Sequence, residues 1–95
     1  MIANKDAGVY VDIRKTFKGS NIFSEWKNDK YIVYSYGEHF PIYIYKGGVW
    51  YANGQKYSRS TSRHQSQCMP SEPCKVVNLS AMNELIRGEN DKYNF

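Results

Sequence analysis

Between His39 and Ser71 the chain has no aspartate and no glutamate. That stretch carries Lys46, Lys56, Arg59 and Arg63. The rest of the sequence balances nine basic against nine acidic residues, so the whole formal excess of +4 sits in the acid-free window. A positive field confined to one stretch favours an anionic partner such as nucleic acid, an acidic protein face or a nucleotide. Sparse charge of this kind also serves plain solubility.

Other shortages narrow the possibilities further. No apolar run approaches the length needed to cross a membrane. The leading MIANKDAGVYVDIRK carries early charge and has no apolar centre, so it reads as something other than a secretory signal. A cytosolic protein without membrane attachment is expected, with Cys68 and Cys74 as reduced thiols rather than a disulfide around the proline loop Met69–Pro73. His64, Cys68 and Cys74, with His39 as a fourth candidate, form H-x3-C-x5-C. That spacing lacks the tight C-x2-C turn that aims two sulfurs at one ion, and no metal is assigned. A Gly-x-Ser-x-Gly elbow, a P-loop and a dinucleotide fingerprint are all absent, and no cofactor is expected. Glu38 and His39 are neighbours that a strand would point to opposite faces. His64 with Ser60 or Ser62 lacks an orienting acid in the window. The chain reads as a non-enzyme.

What is abundant is aromatic: nine tyrosines, two tryptophans and four phenylalanines in 95 residues. This length makes one domain, spanning 1–95, and large rings give a short chain much of its burial. Most of the tyrosines fall in Tyr31–Ser58, which reads as strands separated by turn signals. Tyr31–Tyr36 alternates, with Ile32, Tyr34 and Tyr36 on one face and Tyr31, Val33 and Ser35 on the other. Pro41 cannot donate to a ladder and belongs to a loop or a strand start, with Phe40–Pro41 a candidate cis bond. Ile42–Tyr45 puts isoleucines on one side and tyrosines on the other. Gly47–Gly48 suits a tight hairpin to Val49–Ala52. Asn53–Gly54 suits a second hairpin to a strand at Gln55–Ser58.

Outside this stretch the signals are shorter. Residues 1–8 and 89–95 read as loose termini. Val9, Val11 and Ile13 alternate as in a half-buried strand, although a helix from Asp6 onward fits as well. Ile22–Trp26 reads as a strand between the turns at Gly19–Asn21 and Lys27–Asp29. Arg59–Gln67 contains no apolar residue, and Ser60, Thr61 or Ser62 is placed to cap a short helical turn. Val76 and Val77 suit a short strand. Asn78 or Ser80 then caps a helix with apolar Leu79, Met82, Leu85 and Ile86, stopped at Gly88. The expected fold is α+β: a small antiparallel β-meander of four to five strands packed on a C-terminal helix, with tyrosines on the wetter sheet face.

Two groups of residues suggest binding. Tyr43, Tyr45, Tyr51 and Tyr57 lie on adjacent predicted strands. Such a row stacks bases in single-strand binders, lines protein interfaces, or simply pairs across strands to stabilise the sheet. Lys56, Arg59, Arg63, His64 and Gln65 sit in a run dense in hydroxyl and amide donors, suited to phosphate or to an acidic partner. As an ordinary polar loop the run needs no partner.

The run YSYGEHFPIYIY (34–45), together with WYANG (50–54), KYS (56–58) and TSRHQSQ (61–67), resembles a group of small proteins of bacteriophages and plasmids. The likeness covers residues 22–67, and the cysteine-flanked Met69–Pro73 departs from it. It lends no activity to any single residue. It implies a mobile-element protein in the cytoplasm of a bacterial host, where small phage proteins commonly bind and block host machinery, CRISPR systems included. The expected function is therefore non-enzymatic occlusion of a host protein or nucleoprotein complex by a monomer or homodimer. The alternative is direct DNA or RNA binding in an accessory or regulatory role.

Overall fold

Two hairpins form where paired residues accept left-handed backbone. In this computed structural model, which describes residues 1–37, 40–55 and 58–87, Asn28 and Asp29 take φ of 51° and 66° between β1 (Ile22–Lys27) and β2 (Lys30–Ser35). Gly47 and Gly48 take 59° and 81° between β3 (Pro41–Lys46) and β4 (Val49–Asn53). Two consecutive positive φ values match the right-handed twist of the flanking strands. The four strands form an antiparallel meander, and the Phe40–Pro41 bond is trans. Between β2 and β3 the register slips: Val33 faces Tyr43 but Tyr34 faces Pro41, so Ile42 is the extra residue of a bulge.

The second expected hairpin does not form. After β4 the chain runs through a helix, α2 (Arg59–Gln67), and returns as β5 (Cys74–Val77), parallel to β4 at the sheet edge. Gln55 and Ser58 lie outside any strand, and Lys56 and Tyr57 lie outside the described residues. Gly54 is needed for close approach rather than for a turn. Its N–H donates to the Val77 carbonyl at 2.7 Å, and a Cβ there would stand 2.8 Å from Val76 Cγ1. The complete sheet runs β1-β2-β3-β4-β5.

Of the two readings of Val9–Ile13, the helix from Asp6 onward forms and the strand does not. Residues Ala7–Asp12 form a helix, α1, after a single 3-10 turn at Asn4–Asp6. Ala7 and Val11, four apart, are buried, while Val9 and Ile13 are exposed; the deciding period is helical. Residues 1–8, expected to be loose, are tied down. The Ile2 N–H donates to the Lys18 carbonyl at 2.9 Å, and the Asn4 side chain both donates to Ser20 O and accepts from Ser20 N. The C-terminal helix, α3 (Leu79–Ile86), is where it was expected. Asn78 is its cap, accepting from Ala81 N at 2.8 Å. Gly88 and residues 89–95 lie outside the described residues.

The fold is thus α+β, as expected, but helices cover both sheet faces. Tyr31, Val33, Tyr43 and Trp50 pack with Val11, Phe17 and Cys68 on the side of α1 and α2. Ile32, Tyr34 and Ile44 pack under Met82 of α3 on the other. Among the described residues no wet tyrosine face forms: Tyr31, Tyr34 and Tyr43 are each at most 3% exposed, and Tyr45 and Tyr51 are partly buried. Burying such rings stabilises by roughly 1.5–3 kcal/mol apiece relative to leaving them in water. Among the described residues, no helix is long and apolar enough to cross a membrane.

Candidate functional site

Helix α2 has no apolar side chain, so ordinary hydrophobic docking is closed to it. Its start is set by Ser58, in extended backbone, whose Oγ accepts from Thr61 N at 3.1 Å; the cap stands before the hydroxyls that were expected to supply it. Hydrogen bonds then hold the helix to the sheet. The Tyr43 phenol donates to Gln65 O at 2.6 Å. Gln65 Nε2 donates to the carbonyls of Asn53 and Gln55 at 2.9 and 3.2 Å. His64 Nδ1 shares a 2.7 Å hydrogen bond with Ser35 Oγ. All but the partly buried Gln55 contact are buried, where leaving a polar group unpaired costs about 1–3 kcal/mol. Burial, and secondarily the Arg63 charge, hold the His64 imidazole below its usual range, so it stands neutral at pH 7.

Docking His64 and Gln65 inward turns Arg59 and Arg63 outward, one helical turn apart. Both flank a polar cavity of about 340 Å³ that lies between α2, the Ser20–Asn21 turn and Tyr36. The wall opposite α2 is built with care. Asn4 clamps the backbone of Ser20, and Gly19 leaves room for this, since a Cβ there would meet Asn4 Oδ1 at 2.5 Å. Asn21 sits at φ 65° and its carbonyl accepts from Tyr36 N at 2.8 Å. Tyr36 itself takes φ 65°, a conformation that costs a bulky residue about 1–2 kcal/mol. Expected on the face of Ile32 and Tyr34, it instead leaves the strand and lies 5.2 Å from the His64 ring, 57% exposed.

Among the described residues, the charged side chains that line this cavity are of one sign. No aspartate or glutamate lines it among the described residues. Among those residues, neither Arg59 nor Arg63 makes a hydrogen bond or ion pair, unlike Arg14, which pairs with Glu72, and Arg87, which pairs with Glu84. Gln67, also in the lining, has its Oε1 buried without a hydrogen-bond partner.

The residues proposed from sequence therefore part company. Arg59, Arg63 and His64 meet at the cavity. Gln65 is buried and serves as the α2 clamp. The tyrosine row is broken up. Tyr43 faces α2 and is buried. Tyr45 shares that face, with the Arg14 guanidinium 4.4 Å above its ring. Tyr51 is opposite Ile44 and packs with the Met82 cluster on the other face. Lys56 and Tyr57 lie outside the described residues. Asn4, Ser20, Asn21, Tyr36 and Gln67 were missed. The Tyr36–Gly37 step at a strand end was the available signal for a turn.

The chemistries weighed earlier find little geometry. The imidazole of His64 is held by Ser35, which is fully buried, and not by Ser60 or Ser62. The Glu38–His39 pair lies outside the described residues. Among the described residues there is no group of three side chains able to hold a metal ion. Cys68 and Cys74 are separate thiols. Burial pushes Cys68 up to about 12, and Cys74 is raised by burial and by the Glu72 carboxylate. No protein-family model, curated protein or solved structure matches the chain.

Proposed function

We propose that this chain is a non-enzymatic binding protein of a mobile element that engages an acidic surface of a host protein or nucleoprotein complex through the outer side of α2. Blocking that surface is the mechanism, and the resemblance to phage and plasmid proteins points to host defence in the bacterial cytoplasm as the target. The observation that carries the reading is the pair Arg59 and Arg63, held one turn apart beside a cavity without carboxylates and without partners of their own among the described residues. Two guanidinium groups left uncompensated on a rigid helix meet carboxylate or phosphate at little cost in ordering. Direct binding of single-stranded nucleic acid loses support, because Tyr43, Tyr45 and Tyr51 supply no continuous stacking platform.

The test is capture from bacterial lysate by the tagged chain, with and without nuclease, beside an Arg59→Glu/Arg63→Glu variant. One protein retained after nuclease and released by the charge reversal is the expected result. Capture that survives the reversal removes the α2 face from the reading. Capture that vanishes with nuclease, joined to affinity for bare DNA or RNA that falls steeply with salt, establishes the nucleic-acid alternative instead.

A further inference from the structure

We infer that the cavity between α2 and the Tyr36 turn is a binding site for a small phosphate ester carrying a planar ring, a nucleoside monophosphate by class. The inference rests on the reading of Arg59 and Arg63 as anion-facing and adds what the cavity itself selects. Four features bear on it, and a macromolecular acidic surface alone explains only the first.

Arg59 and Arg63 present two planar forks of donors from successive turns of one helix face, the arrangement that grips a tetrahedral anion from two sides. Tyr36 stands at the same cavity, over half exposed, with the His64 ring 5.2 Å from its own to brace it. A bulky side chain held at positive φ costs stability, and such strain persists where the surrounding structure dictates it, often at binding sites. The braced ring offers a face for stacking a base. Gln67, in the same lining, adds a side-chain amide at the edge of the site, able to donate to or accept from a ribose hydroxyl or a base. The volume of about 340 Å³ lies at the lower end of ligand pockets, of about 300–1,000 Å³, and exceeds what a lone carboxylate or phosphate fills.

The whole chain, purified, is titrated calorimetrically with adenosine 5′-monophosphate, uridine 5′-monophosphate, inorganic phosphate and adenosine. At least one nucleotide is expected to bind roughly tenfold or more tightly than either phosphate or adenosine, because ring and anion contacts act together. Arg59→Ala and Arg63→Ala each weaken the nucleotide by about tenfold or more, as loss of a charge-assisted pair requires. Tyr36→Ala weakens the nucleotide and leaves phosphate unchanged, while Tyr36→Phe restores binding. Melting curves confirm that each variant is folded. Nucleotides that bind no better than phosphate overturn the inference and leave the anion-facing arginines standing. Absence of nucleotide binding also overturns it, while capture of a macromolecule, lost on reversing the arginines, is still read by its own experiment.

Discussion

The phenol of Tyr43, at the centre of the sheet, donates to the main-chain carbonyl of Gln65 in the last turn of α2, across 2.6 Å. A helix without apolar side chains is thereby held to an apolar layer by the polar tip of a buried ring. Tyr43→Phe keeps the ring and strands the carbonyl. It is expected to cost about 1–3 kcal/mol, read as a lower urea midpoint at unchanged slope. A neutral result would mean that the other clamps hold α2 unaided.

Burial pushes the phenol of Tyr31 up to about 12 and raises that of Tyr43 as well. In the unfolded chain both ionise near the ordinary value of about 10. The folded state therefore keeps protons that the unfolded state sheds. Stability is full below about pH 10 and declines as the pH climbs toward 12. Denaturation at stepped alkaline pH reads the decline directly. A profile that stays level throughout that window contradicts the burial of these two rings.

His64 predicts a second slope, at the acid end. Its imidazole, against Ser35 and beside Arg63, resists protonation in the fold, whereas the unfolded side chain takes a proton near about pH 6.5. Stability is complete above that value and is lost as the pH falls toward the lower folded value. The imidazole resonances followed by NMR should titrate below the ordinary range. His64→Gln should flatten the stability profile on the acid side of about pH 6.5. An imidazole that titrates normally removes the effect.

The two thiols should separate by access. Cys68 is fully buried and resists ionisation, whereas Cys74 is partly exposed at the sheet edge. An alkylating reagent at neutral pH is expected to modify Cys74 slowly and to reach Cys68 only on unfolding, because the thiolate is the reactive form. Peptide mass mapping distinguishes the sites, and rapid labelling of Cys68 in the folded protein would be inconsistent with this packing.

Much of the fold is legible where the determinants are local. Asn28–Asp29 and Gly47–Gly48 accept positive φ and so make their hairpins, and Asn78 caps α3 through its own side chain. Val9–Ile13 misleads because three branched residues at spacing two also fit a short helix, and the burial of Ala7 and Val11 decides the matter. Asn53–Gly54 misleads because a glycine needed for the approach of β5 looks the same as a glycine needed for a turn.

By itself the sequence determined the four strands of the meander, two of the turns, the C-terminal helix and the acid-free basic window. All of these follow from a residue's own backbone preferences or from its near neighbours. Tertiary structure alone decided that Tyr43 and Tyr51 lie on opposite faces, that both faces are covered, and that Arg59, Arg63 and Tyr36 meet at one cavity. Strand parity says which side chains share a face. Which face a helix covers depends on the crossover from β4 through α2 to β5, and that is a contact between segments distant in the chain.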